Sequence, residues 1–234
     1  LHKAIRRQRQ MCIRDRQEAK ESVLSESTRT RAQKLSGPKQ DDASKKSQYV
    51  IVLDAGHGGK DEGAVSDDGK LEEKEYNLAV VKEIARLLEQ SGVKVYCTRT
   101  TDRTVSKKAR VRLANKRQAD MLVSVHCNAS DARKHSVRGI EVLYSKRDNG
   151  AGYTNKQLAA KLLKKTVAAT GLPARGVIRR EDLYLMHHAK VPAVIVETGY
   201  LTNPSDCLYM RQEKGIRQTA WGIYQAVMET LEKY

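Results

Sequence analysis

The chain has 234 residues, with 44 Lys plus Arg against 28 Asp plus Glu, and a formal charge of +16. Charged residues make up 31% and hydrophobic ones 39%, and no apolar run approaches the roughly 18 residues a membrane-spanning helix needs, which excludes such a helix from the sequence as given. At about 100–200 residues per domain, the length suits one well-cored domain with an appendage.

Residues 1–48 carry thirteen Lys or Arg against six Asp or Glu, with Gln and Ser between them and little hydrophobic periodicity. The segment 1–47 is therefore predicted to be a basic, disordered tail. Its start at Leu1 instead of Met, and the run from Gln8 to Arg16, read as the artefactual front of a fragment whose export signal lies upstream.

From residue 48 strands and helices alternate. Tyr49–Asp54 is a β-branched apolar run that ends in Ala55-Gly56-His57-Gly58-Gly59, a strand entering a glycine-rich turn. Glu73–Gln90 has Asn77, Val81, Ile84, Ala85 and Leu88 at helical spacing and stops at Ser91-Gly92. Val93–Thr98 is a second strand, Lys107–Gln118 a second helix and Met121–His126 a third strand. Arg138–Tyr144 alternates like a strand, and Asn155–Thr170 reads as a helix closed by Gly171-Leu172-Pro173. Leu183–Met186 and Ala193–Glu197 are read as strands, and a last helix carries Ile216, Ala220, Ile223, Val227 and Leu231 on one side. The pattern predicts an α/β class: a single domain, 48–234, with a mostly parallel twisted sheet flanked by helices on both faces.

In such sheets ligands bind beyond the carboxyl ends of the strands. His57 follows the first strand, His126 closes the third, Glu197 closes the last, and Glu73 opens the helix after the His57 turn. Two imidazoles and a carboxylate are the open ligand set of a catalytic zinc, and a free carboxylate beside it serves a hydrolase as proton carrier. Spacing alone leaves a second reading open, in which these are buried or surface histidines that fall at strand ends. Four cysteines, at 12, 97, 127 and 207, form no C-x-x-C pair, so neither a disulfide framework nor a cysteine zinc knuckle is expected. Ten Tyr, one Trp and no Phe leave little for base stacking, and no nucleic-acid-binding motif accompanies the charge.

Leu53-Asp54-Ala55-Gly56-His57-Gly58-Gly59-Lys60-Asp61-Glu62-Gly63-Ala64 resembles the opening motif of the zinc-dependent N-acetylmuramoyl-L-alanine amidases of type 3. Matches continue in the family's order through Glu73-Lys74-Glu75-Tyr76-Asn77-Leu78, Thr98-Arg99, Ser124-Val125-His126-Cys127-Asn128-Ala129, Arg138-Gly139-Ile140-Glu141-Val142 and Pro192 to Pro204. The resemblance implies one zinc ion held by His57, Glu73 and His126, with Glu197 as catalytic acid/base. It implies peptidoglycan as substrate, cut at the amide between the lactyl group of N-acetylmuramic acid and L-alanine. Action outside the cytoplasm, in the cell wall or as a secreted enzyme, follows from that substrate.

Glu72 competes with Glu73 for the ligand position, and the Glu-Lys-x-x-Asn-Leu register favours Glu73. Asn77, four residues on, either orients the ligand or packs the helix. Asn128 is placed at substrate or in a loop, and Arg99 and Glu141 in the groove or in structural ion pairs. His187 and His188 are expected on a loop near Glu197, either within reach of substrate or as exposed loop histidines without that role. Cys127 is turned to the opposite sheet face by strand alternation. Regulated members of the family carry a long blocking helix after the strand matching Ile140–Tyr144, whereas only Ser145–Tyr153 stands here. A monomer with an open site and no dedicated activator is expected. A zinc peptidase acting on the stem peptide and a non-catalytic wall-binding module are the competing readings; neither a nucleic-acid partner nor membrane insertion is expected.

Overall fold

The computed structural model describes residues 49–130, 135–147 and 149–234, so the tail expected at 1–47 lies outside the described residues. Six strands form one sheet: Val50–Ala55 (β1), Lys94–Cys97 (β2), Met121–Asn128 (β3), Ile140–Tyr144 (β4), Ala174–Arg179 (β5) and Ala193–Tyr200 (β6). Their order is β2-β1-β3-β6-β4-β5. Neighbours are parallel except β4 and β6, which run antiparallel, so β4 begins at the edge of the sheet where β1, β3 and β6 end.

The helices are Glu73–Gln90 (α1), Lys107–Arg117 (α2), Asn155–Thr170 (α3), Tyr184–His188 (α4), Pro204–Met210 (α5) and Glu213–Lys233 (α6). Ile51, Leu53, Val123, Val125, Val194 and Val196 pack against the apolar stripes of α1, α3 and α6 on one face. Val52, Leu122, Leu143 and Ile195 pack under α2 and α4 on the other. Because both faces are covered, the central strands carry apolar side chains along most of their length, and each fully buried Val, Leu or Ile contributes about 1.5–3 kcal/mol. The single domain with a mostly parallel sheet and helices on both sides is as expected. Among the described residues no helix is long and apolar enough to cross a membrane.

Local chemistry sets the helix ends. Ser106 caps α2 by accepting from the Ala109 N–H, and Thr154 and Gln157 form a reciprocal capping box on α3. Gly171 ends α3 in the left-handed region, where the sequence placed its stop.

Four expectations need correction. Leu183–Met186 is not a strand; the segment forms the short helix α4, since a four-residue apolar run has no period to separate the two forms. β5 was not anticipated, because Ala-Arg-Gly-Val-Ile-Arg is an exposed edge strand without alternation. Helix α5 was missed although Asn203-Pro204 is a start signal: the Asn203 Oδ1 accepts from the Ser205 and Asp206 N–H groups, and Pro204 needs no partner there. Finally, β3 and β6 run on to Asn128 and Tyr200, so His126 and Glu197 lie inside the strands and do not close them.

Candidate functional site

His126 and Glu197 are register partners on adjacent parallel strands, and Glu141 of β4 is the partner of Glu197 on its other side. The pairing puts a His-Glu-Glu row on one sheet face near the carboxyl ends. His57 reaches the same place from the turn after β1, and Glu73 from the first residue of α1. One donor atom each from His57, Glu73 and His126 lies within 4.8 Å of the others.

Glu73 is the hub. Its Oε1 is 3.2 Å from His57 Nε2 and 3.0 Å from His126 Nδ1, and it accepts the Cys127 N–H at 3.0 Å and the Asn77 amide at 3.3 Å. Its Oε2 accepts the Ala64 N–H at 2.9 Å. Burial alone would raise the Glu73 pKa, but the two histidines outweigh it and hold the carboxyl well below the usual range. Burial likewise opposes charge on His57 and His126, yet Glu73 raises both, assisted by Asp61 at His57 and by Glu197 at His126. Two imidazole nitrogens and a carboxylate oxygen that converge in this way form a donor set that fits zinc.

The backbone is bent to make this possible. His57 has φ +61°, a left-handed conformation that costs a non-glycine residue on the order of 1–3 kcal/mol. Several contacts hold it there: Gly58 N–H donates to the Asp61 carbonyl at 2.8 Å, Arg110 Nη2 to the His57 carbonyl at 2.7 Å, and His57 Nδ1 lies 2.8 Å from Asp61 Oδ1. The Asp61 contact occupies Nδ1 and leaves Nε2 facing Glu73. Gly63 must lack a side chain: with φ +73°, a Cβ there would stand 2.6 Å from Glu73 Oε2 and 2.7 Å from the His57 ring. Gly59, at φ +63°, lets the turn press against Thr104, whose Oγ1 would lie 2.4 Å from a Cβ.

Glu197 does not join the cluster. Its Oε2 is buried with no hydrogen-bond partner among the described residues. Burial is the main cause that pushes its pKa up to about 7; Glu73 and Glu141 add to the rise, while His126 and His57 oppose it. A carboxyl that titrates near neutrality and has a bare oxygen is suited to carrying a proton. The cavity beside it has a volume of about 280 Å³ and is lined by His57, His126 and Glu197 with Lys107, Arg180 and Tyr184.

The other expected residues divide. Asn77 bridges Glu73 and the Gly56 carbonyl, so it orients the Glu73 carboxylate. Arg99 is buried and forms no ion pair among the described residues: it donates to the Ala55, Gly56 and Lys74 carbonyls and clamps the turn to α1. Glu141 accepts from Tyr200 at 2.7 Å, from Arg175 at 2.5 Å and from Asn128 at 3.4 Å, a cluster flanking Glu197. His187 and His188 lie on α4 instead of a loop and do not line the cavity; the neighbouring Tyr184 does. Glu72 pairs with Lys74 at 3.2 Å, away from the histidines. Cys127 faces the opposite side, its Sγ donating to Asn77 Oδ1 at 3.4 Å.

Three contributors escaped the sequence reading: Asp61, Gly63 and the Asp54–Arg110 pair. Asp54 Oδ1 accepts from Arg110 and Thr98 and its Oδ2 from Ser124, each at 2.6 Å, while Arg110 also reaches the Ala55, His57 and Val105 carbonyls. The signal was available, since a carboxylate that ends an apolar strand requires a buried partner.

Residues 51–229 match the family described as N-acetylmuramoyl-L-alanine amidase. Among relatives, the chain is 36% identical over 163 residues to the N-acetylmuramoyl-L-alanine amidase LytC of Bacillus subtilis (strain 168), an alignment covering 70% of this chain and only 32% of that protein's length. Among solved structures, the catalytic domain of the amidase CwlV from Bacillus (Paenibacillus) polymyxa var. colistinus superposes with a TM-score of 0.72 at 33% identity, over 79% of this chain and 98% of that one. The CwlD amidase of Clostridioides difficile, solved in complex with the GerS lipoprotein, gives a TM-score of 0.73 at 29% identity, over 80% and 100% of the two chains. The chain belongs to the N-acetylmuramoyl-L-alanine amidase family, whose members are hydrolases of the bacterial cell wall.

Proposed function

We propose that residues 48–234 are a zinc-dependent catalytic domain that hydrolyses the amide between the lactyl group of N-acetylmuramic acid and L-alanine in peptidoglycan. The observation that carries this reading is the convergence of His57, Glu73 and His126 within 4.8 Å, with Glu197 beside His126 in register. His57, Glu73 and His126 would hold the metal. When bound, zinc supplies Lewis acidity, polarising a carbonyl and making water more acidic.

The remaining chemistry falls to the chain. Glu197 Oε2 takes the proton of the attacking water and delivers it to the departing amine nitrogen, and its pKa near 7 suits both transfers. Asp61 fixes the His57 ring, Asn77 and the Cys127 N–H fix Glu73, and the Asn128–Glu141–Tyr200 cluster supports the flank of Glu197. No side chain is needed as a covalent nucleophile.

The link from Tyr144 to Asn155 contains no helix among the described residues, which supports an uncovered site and action without a dedicated activator. The substrate sets the place of action, in the cell wall or secreted. Mass analysis of products from purified peptidoglycan tests the reading: lactyl-bearing glycan plus intact stem peptides with free L-alanine termini supports it. Shortened peptides still attached to glycan would show a peptidase instead.

A further inference from the structure

Outside the catalytic cleft, the strongest unassigned feature is a cationic groove. Helix α2 reads Lys-Lys-Ala-Arg-Val-Arg-Leu-Ala-Asn-Lys-Arg, with no acidic residue. Arg110 is used internally on Asp54. The other cations on its exposed side, Lys107, Lys108, Arg112, Lys116 and Arg117, have no ion-pair partner among the described residues. Lys108, Arg112 and Lys116 stand four residues apart, which lines them up at about 6 Å intervals along one face. Beside this face lies a groove of about 850 Å³ whose lining includes Arg103, Arg112, Lys116 and Arg117 with the hydroxyls of Thr104 and Ser106, and no carboxylate.

We propose that this groove binds a linear, phosphate-bearing anionic polymer of the cell wall. Four cations, Arg103, Arg112, Lys116 and Arg117, in a carboxylate-free trough suit a chain that repeats one negative charge per monomer. Val105 lines both this groove and the catalytic cavity, so the bound polymer lies beside the glycan under attack. A nucleic acid is the poorer occupant, because no aromatic ring lines the groove and the nearby Tyr96 ring is already covered by the Arg117 guanidinium at 4.0 Å. The choice of a wall polymer rests on the amidase reading; the cationic trough does not.

The test uses the full chain and poly(glycerol phosphate) as probe, with binding followed by calorimetry across a salt series. Wild type binds, with affinity falling steeply as salt rises. The triple variant Arg112→Gln/Lys116→Gln/Arg117→Gln, all three in the groove lining, loses at least tenfold in affinity and reduces the log–log salt slope by roughly 2, as expected for three lost phosphate contacts. A control triple on other exposed surfaces, Lys156→Gln/Lys164→Gln/Lys214→Gln, removes equal charge and keeps wild-type binding. Cleavage of a soluble muropeptide by the α2 triple stays at the wild-type rate, and a wild type inactive on that substrate would count against the amidase reading without touching the binding result. Wild-type affinity in the α2 triple, equal loss in the control, or tighter binding of a single-stranded oligonucleotide of matched charge would each overturn the proposal.

Discussion

Replacing Arg110 by Met separates the His57 turn from the pair that supports it. Arg110 is 7% exposed and Asp54 1% exposed, so the substitution leaves a carboxylate buried with only the Thr98 and Ser124 hydroxyls. Breaking a buried pair from one side costs about 3–5 kcal/mol, a large share of the roughly 5–15 kcal/mol that a domain has in total. With a urea slope of about 2 kcal/mol per molar, the unfolding midpoint should fall by roughly 2 M. The pH dependence identifies the cause. Burial raises the Asp54 pKa but Arg110, Ser124 and Thr98 overcome it, so the folded value lies below the ordinary one. Its contribution is therefore fully present above the unfolded pKa of about 3.9 and lost as pH falls through the folded value. Without Arg110 burial dominates and the folded pKa rises, so the stability gap between the two proteins is widest at neutral pH and narrows toward pH 4. Loss of the bond to the His57 carbonyl should also weaken zinc binding, by about 10–100-fold on the scale of ligand-orienting contacts. Urea titrations at several pH values, with chelator competition, measure both. A loss under about 1 kcal/mol, or a gap that does not change with pH, would refute the reasoning.

Four further outcomes are expected. The acid limb of kcat/KM should lie above the range of an ordinary glutamate, because Glu197 must be ionised to accept a proton and burial pushes its pKa up. Glu141→Gln removes a charge that contributes to that rise, so the limb should move to lower pH; a limb moving upward would contradict the assigned cause. Asp61→Asn should leave the fold stable but weaken zinc affinity by about 10–100-fold in a chelator titration, since the exposed carboxylate orients His57 and bears little else. Gly63→Ala should impair zinc binding more than stability, read by metal analysis beside thermal unfolding, because its Cβ meets Glu73 and His57.

The sheet was legible where apolar strands are covered on both faces: β1, β3 and β6 are continuous β-branched runs that little else would accommodate. β5 was invisible because an edge strand with solvent on its open side is free to carry Arg175, Gly176 and Arg179. Helix α4 was misread since Leu183–Met186 is too short to show a period, and the error placed His187 near the substrate on a loop that does not exist. His57, Glu73, His126 and Glu197 were findable because strand ends and helix starts confine where such side chains can go. Of their supports, Asp61 and Gly63 were not, because they act through geometry: a ring nitrogen held at 2.8 Å and a Cβ with no room. Arg110 could have been sought as the buried partner that the Asp54 carboxylate at the end of an apolar strand requires.

The central claim is that His57, Glu73 and His126 hold a zinc ion whose chemistry depends on Glu197 as proton carrier. It is tested most directly by following release of free L-alanine amino termini from purified peptidoglycan, with and without a zinc chelator, for wild type and Glu197→Ala. The account predicts release by wild type that stops on chelation and returns with zinc, and a variant that binds zinc normally but releases nothing. Undiminished release by zinc-loaded Glu197→Ala, or by wild type stripped of metal, would contradict it.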